Sequence, residues 1–209
     1  MRVVVIGATG AIGRAVVEEA VAVGHDVVAF ARDPAKLASL GRAITPAAGD
    51  ALDSGALERA IAGADAVINA LGPTGRGRDE VRKAETIAHD LVAAMRGAGV
   101  RRLVSLSGAA VTVHGERKPF GGRIASALVR LAVPNVVAAK QREYEILSES
   151  DLDWTAVRPP RVVDGPATGK TRAGDRLAGR TIAPGDLARF MVAQVADTTY
   201  LRMAPYVSG

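Results

Sequence analysis

The chain has 209 residues, 48% of them hydrophobic, and a formal net charge of +5. Its length and apolar content suit one domain with a sizeable core, and the lack of cysteine excludes disulfides and thiolate metal sites. Three scattered histidines, His25, His89 and His114, argue against a zinc site. Basic residues form no run of five and only 3% of residues are aromatic, which argues against nucleic-acid binding and favours a small anionic ligand.

The first residues, "MRVVVIGATGAIG", are basic and then apolar, in the order that a secretory signal has. The apolar run stops at Gly7, which is too early for a signal, and no stretch reaches the length of a membrane span. We therefore expect a cytoplasmic protein with a small-molecule substrate and no membrane or nucleic-acid partner. The oligomeric state is left open.

The first half of the chain alternates between short apolar runs and segments with helical spacing. Strands are predicted at 2–7, 26–32, 43–50, 65–72 and 101–108, and helices at 11–24, 33–40, 54–63 and 79–99. This alternation predicts a doubly wound parallel α/β sheet with helices on both faces. Pro46 predicts an edge position for the third strand, as in the order 3-2-1-4-5-6, and Asp33 before Pro34 predicts a helix N-cap.

After Gly108 the regular alternation breaks. Helices are predicted near 121–132 and at 136–149 and 184–197, with a strand at 153–159 and a possible last strand in "YLRMAPYV". We expect the irregular segments 109–135 and 160–182 to form a lid on the substrate side of a single domain, 1–209, because long segments of this kind often cover binding sites.

Three glycines, at 7, 10 and 13, follow the first strand directly and open the first helix, in "GATGAIG". Gly7 permits the tight turn, Gly10 lets a pyrophosphate approach the helix N-terminus, and Gly13 lets the helix pack against the strand. A glycine-rich turn without a ligand is the alternative. The pattern predicts a dinucleotide site at Gly7, Thr9, Gly10, Ala11, Ile12 and Gly13.

The end of the second strand predicts which dinucleotide is bound. NAD-binding proteins place an acid there, whereas NADP-binding proteins place an arginine near the 2′-phosphate. Here the strand ends at Arg32, Lys36 follows on the next turn, and Asp33 is expected to serve as a cap. These residues favour NADP(H), and a solvated surface arginine is the alternative.

The spacing G-x-x-G-x-x-G resembles the short-chain dehydrogenase/reductase superfamily, in the form of its extended and atypical branches. "KQREYEILSESDLDWTAVRPPRVVDG", 140–165, resembles the atypical branch of NmrA-like or NAD(P)H-binding proteins. Within that branch, "RPPRVVDGPATGK" and "APGDLARFM" are most similar to the biliverdin reductase B/flavin reductase type. The resemblance covers almost the whole chain and implies a Rossmann fold with reductase activity.

The resemblance also implies roles for single residues. Asp50 and Ala51 would lie beside the adenine, the backbone of Ala70, Leu71 and Gly72 would line the cofactor, and Ser107 and Pro159 would lie near the nicotinamide. In related proteins, a lysine at the position of Lys140 acts as a general acid or base, or positions the nicotinamide ribose. From the residues alone, Asn69 is either a strand-end residue or a cofactor contact, and Ser105 is a buried hydroxyl.

Lys140 and Tyr144 reverse the Tyr-x-x-x-Lys order that is common in short-chain reductases. None of the three tyrosines has a lysine four residues later, so a tyrosine acid is not predicted. Lys140 is a candidate catalytic residue with Ser107, or else an exposed helix lysine. Tyr144, between the charged Glu143 and Glu145, is expected to be a packing or surface residue.

Taken together, these features predict an NADPH-dependent oxidoreductase that reduces a small conjugated acceptor, such as a flavin, a quinone or a tetrapyrrole-like compound. The first alternative is an NmrA-like protein that senses NADP(H) without turnover, and the second is a sugar-nucleotide epimerase or dehydratase. Arg76 and Arg78 could contact a phosphate or a carboxylated substrate, or they are solvated surface arginines, and His114 is a weaker candidate for a proton donor.

Overall fold

Six parallel strands form the central sheet of the computed structural model, which describes residues 1–72, 75, 77, 79–116 and 120–209. The strands lie in the order 3-2-1-4-5-6, as predicted. Their bounds are β1 (Arg2–Ile6), β2 (Asp26–Ala31), β3 (Ile44–Ala48), β4 (Ala66–Asn69), β5 (Arg102–Leu106) and β6 (Asp153–Val157).

Helices cover both faces of this sheet, so the predicted Rossmann fold is confirmed. One face carries α1 (Ala11–Ala22), the 3₁₀ helix Pro34–Ala43 and α6 (Pro184–Ala193), and the other carries α2 (Ser54–Ile61), α3 (Asp79–Gly97) and α5 (Pro134–Glu149). Each face has its own hydrophobic core. Val3 and Val5 of β1 pack into the core beneath α1 and α6, and Val4 and Ile6 pack into the core beneath α2, α3 and α5. The unbroken apolar run of β1 follows from this burial on both faces.

Details of the first half confirm one local prediction and correct another. Pro46 lies on the edge strand β3, where a missing N–H leaves no ladder bond unmade. The predicted helix at 33–40 is a 3₁₀ helix, and the carboxylate of Asp33 makes no cap hydrogen bond. Asp33 is the N-cap residue and Pro34 the first helical residue, as predicted, but the carboxylate lies 3.9 Å from the ammonium of Lys36 instead of accepting from the helix backbone.

Segment 160–182, predicted to be irregular, contains three short strands. β7 (Arg161–Val162) pairs in parallel with β9 (Thr181–Ile182), and β8 (Arg172–Gly174) pairs antiparallel with β10 (Tyr206–Ser208). These pairings join residues far apart in the chain, which a local pattern does not reveal. The buried Asp186 fastens the segment between β7 and β8, since its carboxylate accepts hydrogen bonds from the backbone of Thr168 and Gly169.

The segment after β5 is tied to the C-terminus by one arginine. Arg158 is almost fully buried, and its guanidinium donates to Val111 O, to Ala204 O and to the carboxylate of Glu116. It also lies 3.9 Å from the centre of the Tyr206 ring. Helix α4 (Phe120–Ala132) follows and packs against α5.

In the described part of the chain, no helix has both the length and the apolar character needed to cross a membrane. Within the same ranges, no three His, Asp or Glu side chains form a group that could hold a metal ion. The single domain and the cytoplasmic location stay predictions.

Candidate cofactor and active site

A cavity of about 410 Å³ opens at the carboxyl ends of strands β1 to β4 and extends between α3 and α5. This edge is where ligands bind in open α/β sheets. Ten predicted site residues line the cavity: Gly7, Thr9, Gly10, Arg32, Asp50, Ala51, Ala70, Leu71, Gly72 and Lys140. Five others lie outside its lining: Ala11, Ile12, Gly13, Ser107 and Pro159.

The glycine loop leaves open space at the N-terminus of α1. Gly7 has a φ of +78°, and its N–H and that of Ala8 both donate to Phe30 O, which fixes the turn. Gly10 caps α1 without a side chain, and a Cβ there would meet only Gly7 O, at 3.4 Å. Because the fold itself has room for that Cβ, the open space and the uncapped N–H groups fit an approaching phosphate.

Gly13 is a glycine for a different reason. A Cβ at Gly13 would lie 2.1 Å from Gly7 O, far inside the contact distance. The residue is buried, so it allows α1 to pack against the loop, as the sequence predicted. Ala11 and Ile12 belong to the first turn of α1, beside the cavity.

Arg32 is a cation that the described residues leave without a partner. It is exposed at the end of β2, lines the cavity, and makes no hydrogen bond or ion pair within the described part of the chain. The nearby Arg14 is engaged, since its guanidinium donates to Ser39 Oγ at 2.6 Å and to Glu18 Oε1 at 3.1 Å. Arg32 is therefore available to a phosphate at this end of the cavity.

The end of β3 forms the wall beside Arg32. The carboxylate of Asp50 accepts a hydrogen bond from Leu52 N at 3.0 Å, and Ala51 is buried beneath it. A Cβ at Gly49 would lie 2.6 Å from the ring of Phe30, so glycine lets this strand end approach the ring. Phe30, Gly49 and Ala51 make this wall mostly apolar, which suits an adenine.

Lys140 lies at the opposite end of the cavity and is buried, with 8% of its surface exposed. The alternative of an exposed helix lysine is thereby excluded. Its Nζ donates to Leu71 O at 2.6 Å and to Glu143 Oε2 at 2.8 Å. Two of the three ammonium N–H groups are used in this way, and among the described residues the third has no acceptor, so it can donate to a ligand.

Glu143 is the residue that sequence reasoning missed, because it was considered only as a charged neighbour of Tyr144. It is buried and lines the cavity, and its Oε1 accepts from Asn69 Nδ2 and from Ser105 Oγ. Its position three residues after Lys140 places both side chains on one helix face, which was the available signal. Ser105 is the buried hydroxyl that was predicted.

Ser107 and Pro159 lie side by side at the ends of β5 and β6. Ser107 N donates to Val157 O at 2.8 Å, and Ala109 N donates to Pro159 O at 2.9 Å. The hydroxyl of Ser107 is buried and has no hydrogen-bond partner in the described part of the chain. The Ser107 hydroxyl is therefore free to hydrogen-bond a substrate or ligand group that reaches past the cavity lining. His114 is exposed on the segment after β5, and Arg76 and Arg78 lie outside the described residues.

None of the three tyrosines, all of which are described, lines the cavity. Tyr144 is buried and packs edge-on against Trp154, with ring centres 5.9 Å apart. Tyr206 is buried beneath Arg158, and Tyr200 packs against Phe190. Burial raises the pKa of Tyr144 and of Tyr206, so neither phenol is a ready proton donor.

A model of the family described as NAD(P)H-binding matches residues 7–198. The chain belongs to this family. The match spans the glycine loop, the cavity and α6, so the predicted family and the nicotinamide cofactor class are confirmed.

Curated relatives of the chain are reductases, which confirms the predicted oxidoreductase class. The chain is 30% identical over 219 residues to (4-alkanoyl-5-oxo-2,5-dihydrofuran-3-yl)methyl phosphate reductase of Streptomyces griseus, covering 99% of this chain and 67% of that protein. It is 33% identical over 202 residues to 3-diazoavenalumate denitrifying reductase of a Streptomyces species, covering 88% of this chain and 64% of that protein. The chain thus spans about two thirds of the length of these relatives.

Solved structures share the fold. The anaerobillin reductase ChuY from Escherichia coli O157:H7 superposes with a TM-score of 0.79 at 21% identity, covering all of this chain and 97% of that one. At this identity the likeness supports the architecture alone.

Proposed function

We propose that the chain is an NADPH-dependent reductase that transfers hydride to a small conjugated acceptor, such as a flavin, a quinone or a tetrapyrrole-like compound. The observation that supports it best is the cavity itself. An open glycine loop lies at one end, the buried Lys140 at the other, and no tyrosine lies on its wall.

The residues present would hold the cofactor along the whole cavity. The N-terminus of α1 at Gly10 would take the pyrophosphate, Arg32 the 2′-phosphate, and Asp50 with Ala51 the adenine end. The backbone at Leu71 and the spare N–H of Lys140 would hold the nicotinamide ribose. When bound, the nicotinamide supplies the hydride.

A conjugated acceptor fits a site without a phenolic acid. The side chain of Lys140 is held by Leu71 and Glu143, so its role would be to orient ligands. Reduction of a flavin, a quinone or a tetrapyrrole yields a product that water can protonate, so a dedicated acid is not needed. The relatives' named substrates, a dihydrofuran phosphate and 3-diazoavenalumate, are also small molecules.

The test is the loss of NADPH absorbance with a panel of flavins, quinones and linear tetrapyrroles, alongside binding titrations with NADPH and NADH. We expect turnover with at least one acceptor. We also expect NADPH to bind about 10- to 100-fold more tightly than NADH, since a charge-assisted contact to the 2′-phosphate contributes roughly 1.5–3 kcal/mol. Lys140→Met should weaken binding and turnover.

Tight NADPH binding without turnover of any acceptor would overturn the reductase proposal. That outcome would favour the alternative of an NADP(H)-sensing protein. The same geometry supports this alternative, because a lysine fixed by Glu143 and Leu71 can bind a cofactor without catalysing a reaction. The epimerase or dehydratase alternative has less support, since the usual Tyr-x-x-x-Lys pair is missing from the chain.

A further inference from the structure

We propose that Glu143 is a positioning residue of the site, which fixes both Lys140 and the β4–α3 connection at Leu71 in the arrangement that receives the cofactor. The proposal deepens the proposed function and rests on it for the identity of the cofactor, NADPH. No role for Glu143 follows from the motifs of the sequence.

Four hydrogen bonds form a closed ring through this residue. Lys140 Nζ donates to Leu71 O at 2.6 Å, and Leu71 N donates to Asn69 Oδ1 at 3.1 Å. Asn69 Nδ2 donates to Glu143 Oε1 at 3.0 Å, and Lys140 Nζ closes the ring on Glu143 Oε2 at 2.8 Å. Leu71 thus has its carbonyl held by Lys140 and its amide held by Asn69, and both of these side chains are anchored on one carboxylate.

Ser105 adds a second anchor from the neighbouring strand. Its hydroxyl donates to Glu143 Oε1, so the carboxylate joins the end of β4, the body of β5 and helix α5. Asn69, Ser105, Lys140 and Glu143 are all buried. In such an environment a hydrogen-bonded network is rigid only while each member is satisfied, and removing one partner is costly.

Both oxygens of the Glu143 carboxylate are occupied by protein donors, which explains why its role is to position other groups. Oε1 accepts two hydrogen bonds and Oε2 accepts one from the ammonium, so protein donors use three of the roughly four acceptor sites of the carboxylate. Lys140 has the opposite character, since the described residues provide acceptors for only two of its three N–H groups. The glutamate therefore acts through the lysine and Leu71.

Glu143→Gln is the sharpest single change, because it keeps the shape of the side chain and removes the charge. The new amide N–H₂ would face a donor, either Lys140 or the pair Asn69 and Ser105, and the buried ammonium would lose its counter-charge. We expect Lys140 and Leu71 to shift, NADPH to bind at least about tenfold more weakly, and kcat/KM to fall by about 10- to 100-fold, as small misplacements do. Glu143→Asp, which keeps the charge, should recover part of the loss.

The experiment compares Glu143→Gln, Lys140→Met and the double variant Lys140→Met/Glu143→Met, with Glu145→Gln as the control. Glu145 lies on the same helix, is partly exposed and pairs with Arg142, away from the cavity, so its variant should match the wild type. The double variant replaces the buried ion pair with apolar side chains, which is often neutral for stability. It leaves no unpaired buried charge, although Asn69 and Ser105 lose their acceptor, and Glu143→Asp, which keeps both charges, serves as the second variant.

If Glu143 acts through Lys140 and Leu71, part of its effect is already lost in Lys140→Met, so the losses in Kd for NADPH and in kcat/KM of the double variant are smaller than the product of the two single losses. A merely structural glutamate would instead give two losses that multiply in full. Amide hydrogen exchange at Leu71 provides a readout without ligand, and it should be faster in Glu143→Gln than in Glu145→Gln.

The proposal is overturned if Glu143→Gln binds NADPH and turns over as the wild type does, if the two losses multiply in the double variant, or if exchange at Leu71 is unchanged. Failure of the reductase proposal is distinct from these results. In that case the wild type reduces no acceptor, yet the Kd series and the exchange rates still decide the role of Glu143. A wild type that does not bind NADPH overturns both.

Discussion

The substitution Gly10→Ala distinguishes the role of the glycine loop in ligand binding from its role in folding. Gly10 has φ −71° and ψ 161°, a conformation open to any residue, and a Cβ there would meet only Gly7 O at 3.4 Å. The fold has no steric need for glycine at this position. If the pyrophosphate lies against the N-terminus of α1, the added methyl group takes its space.

The expected magnitudes follow from that geometry. In the fold, the weaker N-cap preference of alanine and the smaller entropy of its unfolded chain are each worth about 1 kcal/mol or less and oppose one another, so Tm should change by less than about 4 °C. In the complex, displacing the phosphate by the radius of a methyl group breaks at least one charge-assisted hydrogen bond. Such a bond is worth roughly 1.5–3 kcal/mol, so Kd for NADPH should rise about 10- to 100-fold.

Gly13→Ala is the matched contrast, because its Cβ would lie 2.1 Å from Gly7 O. The atom in the way is backbone, so α1 or the loop has to move. Overpacking of this kind costs about 1–3 kcal/mol or more, which lowers Tm by about 2–12 °C. Gly13→Ala should therefore lose stability and affinity together, whereas Gly10→Ala loses affinity alone.

Two measurements decide the matter: fluorescence titration of NADPH for Kd, and thermal unfolding without ligand for Tm. Added NADPH should also raise the Tm of Gly10→Ala less than that of the wild type, as mass action requires. A wild-type Kd in Gly10→Ala would refute the placement of the pyrophosphate at α1. A wild-type Tm in Gly13→Ala would refute the packing argument.

Three further predictions concern residues around the cavity. Arg32→Ala should weaken NADPH binding about 10- to 100-fold and leave NADH unchanged, whereas the control Arg59→Ala, on α2 and outside the lining, should change neither Kd. Tyr144→Phe should keep wild-type turnover, because the ring packs in the core; a large fall in kcat would make that phenol catalytic. Although burial opposes it, hydrogen bonds from Thr168 and Gly169 hold the pKa of Asp186 below its ordinary value. The stability that Asp186 contributes should be complete above the ordinary pKa of an aspartate and lost as the pH falls through the lowered value, and urea unfolding of Asp186→Asn should lack this acid dependence.

The sequence predicts the central sheet well because its signals are local. The run at Val3–Ile6 is apolar throughout since alternate side chains enter cores on opposite faces, and Pro46 lies on the edge strand because it cannot donate to a ladder. The cavity follows for the same reason. Parallel strands bring their carboxyl ends to one edge, so Gly10, Arg32 and Lys140 meet there although they are far apart in the chain.

Predictions failed where a distant partner decides the outcome. Strand β8 forms because Arg172 pairs with Ser208, and nothing within 160–182 announces that pairing. At β8 the local pattern was compatible with two structures, and a tertiary contact selected one of them. Asp33 is the N-cap residue that was predicted, but the helix is 3₁₀ and the carboxylate makes no cap hydrogen bond.

Glu143 shows why the end of the cavity at Lys140 is harder to predict from the sequence than the end at the glycine loop. Glycine spacing reports on backbone geometry, which is local, whereas the ring through Glu143 needs Asn69 and Ser105 from two strands and Lys140 from a helix. A lysine and a glutamate three residues apart are common on exposed helices, so the pair gains meaning only when both are buried. Burial follows from packing α5 over the ends of β4 and β5. The lysine is thus held by a partner that the local sequence pattern does not identify, which makes the Lys140→Met/Glu143→Met comparison more informative than either single variant.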